Sequence, residues 1–283
     1  MNAKSCFIMG LPEAGKTTYL AALWYCLSQP DKNVLKLKKY SNNHKYLAQL
    51  SETWLSGSKV SRTNIHAEEK TLTLTLKGCS NEEYEVTFPD LSGETFQRQY
   101  IDREIGSDIA ECVCQCDGIL YFVNPLKIEE PHLISDVPEH LRPSNVDSRE
   151  VTLRNPTQSD PIDVQLVELL QFVKYLREDE PVRLGMVVSA WDTIRESKYD
   201  IPEKFIKENL PLFWQYLLAN QKIFDVFYFG VSAQGNSLES QADKDEVLKI
   251  EDQTERIIVV DNDKNRSTDI TMPLWMALNK EGE

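Results

Sequence analysis

Residues 5–27, SCFIMGLPEAGKTTYLAALWYCL, decide the fold of this 283-residue chain. Ser5–Met9 is a short apolar run typical of a buried strand. Lys16–Leu27 has large apolar residues at i, i+3, i+4 and i+7, which predicts a helix. Between them, Gly10–Thr17 matches GxxxxGK(S/T) in the strand–loop–helix context that this motif requires. We therefore expect a phosphate-binding loop near the start of an α/β domain.

The residue types of this loop suit the phosphates of a nucleotide. Glycine lets the backbone wrap the ligand with N–H groups, and the helix N-terminus adds a favourable dipole. Lys16 would place its charge on the β- and γ-phosphates, and the Thr17 hydroxyl would bind Mg²⁺. Pro12 removes one N–H from this cradle and Glu13 adds an acid, so we expect slow intrinsic turnover. The predicted phosphate-binding residues are Pro12, Glu13, Ala14, Gly15, Lys16, Thr17 and Thr18.

A second motif follows the strand predicted at Tyr84–Phe88, which runs directly into Asp90-Leu-Ser-Gly93. A DxxG sequence alone is a weak signal, but at the end of a strand that follows a phosphate loop it indicates a second nucleotide-binding segment. Asp90 would hold Mg²⁺ through water, and the Gly93 N–H would bond the γ-phosphate and sense its presence. The alternative is an ordinary strand-to-helix turn.

Further apolar runs predict the rest of the sheet. Gly118–Val123, Leu184–Ala190 and Val226–Val231 are wholly or largely apolar, as expected for central parallel strands covered on both faces. Thr71–Lys77 alternates and forms an antiparallel edge hairpin with the strand before the DxxG motif. We predict an α/β, three-layer P-loop NTPase fold with a mostly parallel six-stranded sheet, one antiparallel edge hairpin and helices on both faces. Helices are also expected at Asn43–Ser56, Val164–Arg177 and Glu203–Leu218.

Charge and hydropathy exclude several classes of partner. The chain has 31 basic and 45 acidic residues, a net charge of −14, which disfavours binding to nucleic acid or to an anionic membrane surface. No apolar run approaches the roughly 18 residues of a spanning helix, and the N-terminus lacks a secretory signal. We expect a cytoplasmic protein.

The tract Cys112-Val-Cys114-Gln-Cys116 resembles a metal-binding sequence at first sight. It has no CxxC partner, and the four histidines of the chain are scattered. We favour small buried hydrophobic side chains over a zinc site.

Two more motifs end two of the predicted strands: Ser189-Ala190-Trp191-Asp192 and Ser232-Ala233-Gln234-Gly235. Together with the phosphate loop and DxxG, these motifs follow an order that resembles the Ras-like, translation-factor class of P-loop GTPases. In that class a strand ends in (N/T)KxD, which recognises guanine, and a later SA(K/Q)G loop lies behind the base. The resemblance implies that Asp192 pairs with guanine N1 and N2. It also implies that the Ala233 N–H meets O6, with Ser232 and Gln234 in the same loop.

The first of these motifs departs from the class pattern. Ser189 replaces Asn or Thr, and Ala190 replaces the lysine whose stem packs on the purine. Trp191 either compensates by stacking on the base or packs in the core.

Within that class, GLPEAGKTTYLAALW and FPDLSGETF are most similar to the bacterial double-GTPase domains, which are associated with conflict or signalling systems. This implies GTP or GDP as the ligand and a protein partner, for which a second GTPase-like protein is a candidate. It also implies a single Ras-like domain over residues 1–283, with insertions at about 30–62, 124–163 and 236–269. We expect the last two insertions to be surface segments or a mobile lid.

The resemblance also suggests the catalytic and metal residues. Class members complete the Mg²⁺ shell with a threonine ahead of the second strand, and Thr63 is the best candidate, beside Thr17 and Asp90. The residue after DxxG usually orients the attacking water, and here it is Glu94; the alternative role for Glu94 is to cap a helix. The predicted catalytic residues are Glu94, Lys16 and Thr63.

Three functions remain open from the sequence. The first is a slow Mg²⁺-dependent GTPase that acts as a molecular switch through a protein partner. The second is a pseudo-GTPase scaffold that holds nucleotide without turnover, and the third is an ATP-using P-loop NTPase.

Overall fold

The computed structural model describes residues 3–29, 33–39, 43–60, 71–78, 81–89, 93–129, 155–194, 199–238 and 240–279. These residues form one mixed sheet with the strand order β2-β3-β4-β1-β5-β6-β7-β8-β9. The strands are β1 Lys4–Met9, β2 Lys36–Lys39, β3 Leu72–Lys77, β4 Glu83–Phe88, β5 Gly118–Val123, β6 Val182–Ser189, β7 Phe224–Ser232, β8 Ile258–Val260 and β9 Arg266–Ser267.

The centre of the sheet is parallel, as predicted. Strands β4, β1, β5, β6 and β7 pair in parallel, and β3 joins β4 as the expected antiparallel hairpin. The sheet is larger than the six strands predicted, however, and it is antiparallel at both edges. Strand β2 pairs with β3, while β8 and β9 extend the sheet beyond β7.

The three additional strands gave little signal in the sequence. Strand β2 reads KLKK, β8 has three residues and β9 has two, so none is long enough to show a period of two. All three lie in segments that we predicted as insertions.

Ten helices accompany the sheet in the described part of the chain. They are α1 Lys16–Leu27, α2 His44–Leu55, α3 Glu94–Asp102, α4 Ser107–Gln115, α5 Pro156–Ser159, α6 Ile162–Leu176, α7 Pro202–Asn209, α8 Pro211–Ala219, α9 Gln241–Leu248 and α10 Met272–Leu278. The single helix predicted over Glu203–Leu218 is wrong: it is divided at Leu210, because Pro211 has no N–H to continue a helix and disfavours helical backbone in the residue before it.

Alternate residues of the central strands face two separate cores. Ile8 and Leu120 lie in the core covered by α1, α2 and α10, whereas Phe7 and Ile119 lie in the core covered by α3, α4, α6, α7 and α8. The result is a three-layer arrangement with the parallel strands buried on both faces.

The cysteine tract lies at the end of α4. The Cys114 thiol is exposed and donates to the Leu176 carbonyl, whereas Cys116 is buried, and burial raises the pKa of its thiol to about 12. Within the residues described above, no group of three or more His, Cys, Asp or Glu side chains is placed to hold a metal ion. In the same part of the chain, no helix is long and apolar enough to cross a membrane.

Candidate nucleotide-binding site

The site lies at one edge of the sheet, where the parallel strands end. The loop Gly10–Gly15 follows β1, Asn124 follows β5, Ser189–Asp192 ends β6, and Ser232–Gly235 ends β7. Because carboxyl ends of parallel strands meet at the same edge, four segments distant in sequence become neighbours. This is the edge at which open α/β sheets bind their ligands.

The phosphate loop makes a close approach to β6. Gly15 has φ +95°, and a Cβ built on it would lie 2.7 Å from the Ser189 Cβ. A glycine is therefore required there by backbone angle and by space together. The first residue of the SAWD motif thus touches the phosphate loop, and its hydroxyl also donates to the Val123 carbonyl at 3.3 Å.

The Lys16 side chain is turned into the loop that precedes it. Lys16 is only 2% exposed, and its Nζ donates to the carbonyl oxygens of Gly10 (2.6 Å) and Leu11 (3.0 Å). The ammonium also lies 5.9 Å from the centroid of the Phe96 ring on α3. The positive charge is therefore held inside the loop.

The DxxG glycine contacts this loop directly. Gly93 precedes α3 with φ +78°, and a Cβ built on it would lie 2.7 Å from both the Leu11 carbonyl oxygen and the Lys16 Nζ. The structure therefore brings together Lys16 and Gly93, which the sequence placed in separate motifs. Asp90 and Thr63, the other predicted metal and switch residues, lie outside the described residues.

Glu94 is the first residue of α3, and it is exposed. A carboxylate in the first turn of a helix is favoured by the helix dipole, which fits the capping alternative. Its position beside Gly93 also places it next to the phosphate loop. The role of Glu94 in hydrolysis stays a prediction.

The SAWD segment forms a short turn with Ala190 in the left-handed region at φ 46°. Trp191 is 2% exposed, packs edge-on to Phe205 at 6.4 Å between centroids, and fills the space above Gly230, where no Cβ fits. Of the two alternatives for Trp191, the structure therefore supports packing in the core. Asp192 is half-buried in the same turn.

The SAQG loop is held by one hydrogen bond within the motif and by one from outside it. The Ser232 hydroxyl accepts from the Gly235 N–H at 3.0 Å and closes the turn. The Ala233 carbonyl accepts from Trp54 Nε1 of α2 at 2.8 Å. Gln234 is half-buried, and its amide nitrogen is buried without a hydrogen-bond partner in the described part of the chain.

Arg256 supports Trp54 in turn. Its guanidinium carbon lies 3.5 Å from the centroid of the Trp54 ring, and Nη2 donates to the Trp54 carbonyl at 2.5 Å. Burial lowers the pKa of Arg256 to about 10. Trp54 and Arg256 could not be recognised from the sequence as parts of the site, because each acts through a long-range contact rather than a motif.

The fold and the loops at this edge define a P-loop nucleotide-binding domain of the GTPase class. The model of one family, Double-GTPase 1, matches residues 7–277, and the chain belongs to the Double-GTPase 1 family. The resemblance stated from the sequence is therefore confirmed.

Three solved structures similar to this chain have low sequence identity to it. The chain is 13% identical to a bacterial selenocysteine-specific elongation factor EF-Sec (TM-score 0.38, 88% of this chain and 29% of that one). It is 12% identical to a signal recognition particle receptor from Chaetomium thermophilum (TM-score 0.40, 82% of this chain and 92% of that one). It is 14% identical to the Ski7 GTPase-like domain of S. cerevisiae bound to GTP (TM-score 0.41, 82% of this chain and 43% of that one). The chain thus spans less than a third of the elongation factor. Among proteins of curated function, none matches this chain by sequence.

Proposed function

We propose that this chain binds GTP with Mg²⁺, hydrolyses it slowly and acts as a switch read by a protein partner, for which a second GTPase-like protein is the leading candidate. The observation that carries this proposal is the contact of Gly93 with Leu11 and the buried Lys16 ammonium. A γ-phosphate bound at Lys16 would lie next to Gly93, the residue that precedes α3.

The donor atoms available fit Mg²⁺, which prefers hard oxygen ligands. Thr17 offers a hydroxyl in the first turn of α1, and Asp90 and Thr63 would add a carboxylate and a second hydroxyl. Bound there, the ion would neutralise charge on the β- and γ-phosphates. The chain itself supplies the backbone N–H groups of residues 13–17 and the Lys16 ammonium.

Helix α3 is suited to carry the state of the nucleotide to the surface. Its Tyr100 hydroxyl donates to Asp160, and Arg103, the residue directly after the helix, pairs with Glu168 of α6. Ile101 on the same helix is 42% exposed. A shift of Gly93 on γ-phosphate binding would move these contacts and change the surface that a partner meets.

Guanine selectivity in this proposal rests on Asp192 and Ala233, which follow the neighbouring strands β6 and β7. With Ala190 in place of lysine and Trp191 in the core, the purine face loses its usual cover. The hydrogen bond from Trp54 to the Ala233 carbonyl anchors the loop that carries the Ala233 N–H, the group proposed to meet guanine O6.

The hydrolytic step needs a positioned water and positive charge on the transferring phosphoryl group. Glu94 is the residue proposed to orient that water. We propose that a partner protein supplies the compensating arginine. This arrangement predicts slow turnover by the chain alone.

A second candidate is nucleotide binding without turnover. It is favoured by Pro12, which lacks one N–H of the cradle, and by an acid at position 94. Phosphate release from GTP, measured with and without candidate partners, separates a switch from a scaffold.

The test of nucleotide binding compares wild-type protein with Lys16→Ala and Lys222→Ala. Lys222 is an exposed lysine just before β7, at the amino end of this strand, whereas the site lies at the carboxyl ends of the strands. Titration with mant-GDP and mant-GTP in Mg²⁺ should show binding that Lys16→Ala abolishes and Lys222→Ala retains. Equal binding by Lys16→Ala and wild-type protein would refute the proposal.

A further inference from the structure

We propose that Asn124 and Lys127, directly after β5, are positioning residues for the phosphate loop, and that both act through Glu13. Neither belongs to a motif of the sequence. The inference rests on the proposed function in one respect, namely that a nucleotide phosphate occupies this loop.

Asn124 is fixed at both ends of its amide. Its Nδ2 donates to the Glu13 carbonyl at 2.8 Å, while its Oδ1 accepts from the Leu126 N–H at 3.0 Å and caps the short turn Pro125–Lys127. Because the cap fixes the amide oxygen, it also fixes the direction of Nδ2, which points at the phosphate loop.

The Glu13 carbonyl controls the direction of a loop N–H. Because a trans peptide is planar, the Glu13 C=O and the Ala14 N–H point in opposite directions. With the carbonyl held by Asn124, the Ala14 N–H is turned to the other side of this peptide, where it donates to the Leu11 carbonyl oxygen at 3.3 Å. Glu13 has φ 61°, a left-handed conformation that residues other than glycine adopt at a cost, so this peptide needs support from outside the loop.

Lys127 forms an ion pair with the side chain of Glu13. Its ammonium pairs with the Glu13 carboxylate, and both side chains are about half-exposed. Exposed ion pairs contribute little to folding stability, so stability does not explain the pair. A carboxylate three residues before Lys16 repels a bound polyphosphate, and a paired lysine offsets that repulsion. The effect of Lys127 should therefore appear in nucleotide affinity and depend on Glu13.

Both residues lie at the start of the segment 124–163, which the sequence predicts as an insertion. If Asn124 and Lys127 act as proposed, the first turn of this segment, residues 124–127, is part of the phosphate site rather than a separate surface feature.

A double-mutant cycle tests the role of Lys127. The variants are Lys127→Ala, Glu13→Gln and the two combined, with mant-GDP affinity in Mg²⁺ at low salt as the readout. Lys127→Ala should weaken binding about fivefold when Glu13 is present and have no effect beside Glu13→Gln, with rescue by Lys127→Arg. The same loss in both backgrounds would overturn the role assigned to Lys127.

Asn155 provides a matched control for Asn124. It caps α5 in the same way, with its Oδ1 accepting from the Thr157 N–H. Asn124→Ala and Asn155→Ala should lower the melting temperature of the nucleotide-free protein by similar amounts, but only Asn124→Ala should weaken mant-GDP binding, by about fivefold. Equal affinities in these two variants would refute the role of Asn124. Failure of wild-type protein to bind mant-GDP would instead refute the proposed function.

Discussion

Replacing Gly93 by alanine tests the contact on which the proposed switch depends. The new Cβ would lie 2.7 Å from the Leu11 carbonyl oxygen and 2.7 Å from Lys16 Nζ, in a residue with φ +78°. A left-handed alanine costs about 1–2 kcal/mol, and forcing a methyl group into a packed position costs about 1–3 kcal/mol. We expect Gly93→Ala to lower the free energy of unfolding of the nucleotide-free protein by about 3 kcal/mol.

The same substitution should change nucleotide preference. If the Gly93 N–H bonds the γ-phosphate, its displacement removes a charge-assisted hydrogen bond that GDP does not make. Such a bond contributes about 1.5–3 kcal/mol, so affinity for a non-hydrolysable GTP analogue should fall at least about tenfold relative to GDP.

Gly106 is the control for this experiment. It precedes α4 with φ −67°, and a Cβ built on it has nothing within 4 Å. Gly106→Ala should stay within about 0.5 kcal/mol of wild-type protein. Urea unfolding measures the stabilities, and mant-nucleotide titration measures the preference. If Gly93→Ala and Gly106→Ala are equally stable and bind the GTP analogue equally well, the reasoning is refuted.

Three further predictions concern the base loop, the catalytic acid and a buried thiol. Trp54→Phe removes the N–H that holds the Ala233 carbonyl at 2.8 Å, and mant-GDP should dissociate about five times faster in stopped flow; an unchanged rate would show that this contact does not position the loop. Glu94→Gln should retain or raise GTP turnover if Glu94 only positions water, whereas a loss of about 10²-fold with unchanged affinity would indicate a general base. The pKa of the Cys116 thiol is about 12 in the folded chain against 9.0 ordinarily, so above pH 9 only the unfolded state loses this proton. Stability should therefore fall between pH 9 and pH 12, and Cys116→Ala should flatten that slope in urea melts; an identical slope would contradict this cause.

The parts of the fold that could be predicted have strong local signals. The phosphate loop is one contiguous motif, and each central strand is an apolar run such as GILYFV at β5. The additional edge strands could not be predicted, because β2 and β9 are short and mainly polar, and their pairing depends on neighbours elsewhere in the chain.

The supports of the site were missed for a related reason. Trp54 meets Ala233 across 179 residues, and Asn124 meets Glu13 across 111 residues. A sequence motif names the residues that touch a ligand, but the groups that hold those residues in place become visible only when the chain is folded. The replacement of lysine by Ala190 could be seen in the sequence, whereas the packing of Trp191 against Phe205 could not.

The central claim is that this edge of the sheet binds a guanine nucleotide. Displacement of mant-GDP by GTP and by ATP, in Mg²⁺, tests it most directly. We expect GTP to displace the probe at a concentration at least about 100-fold lower than ATP, because a site built to pair with guanine N1, N2 and O6 leaves buried polar groups unpaired when adenine binds. Equal displacement by the two nucleotides, or preference for ATP, would contradict the roles of Asp192 and Ala233 and with them the assignment of this chain as a guanine-nucleotide switch.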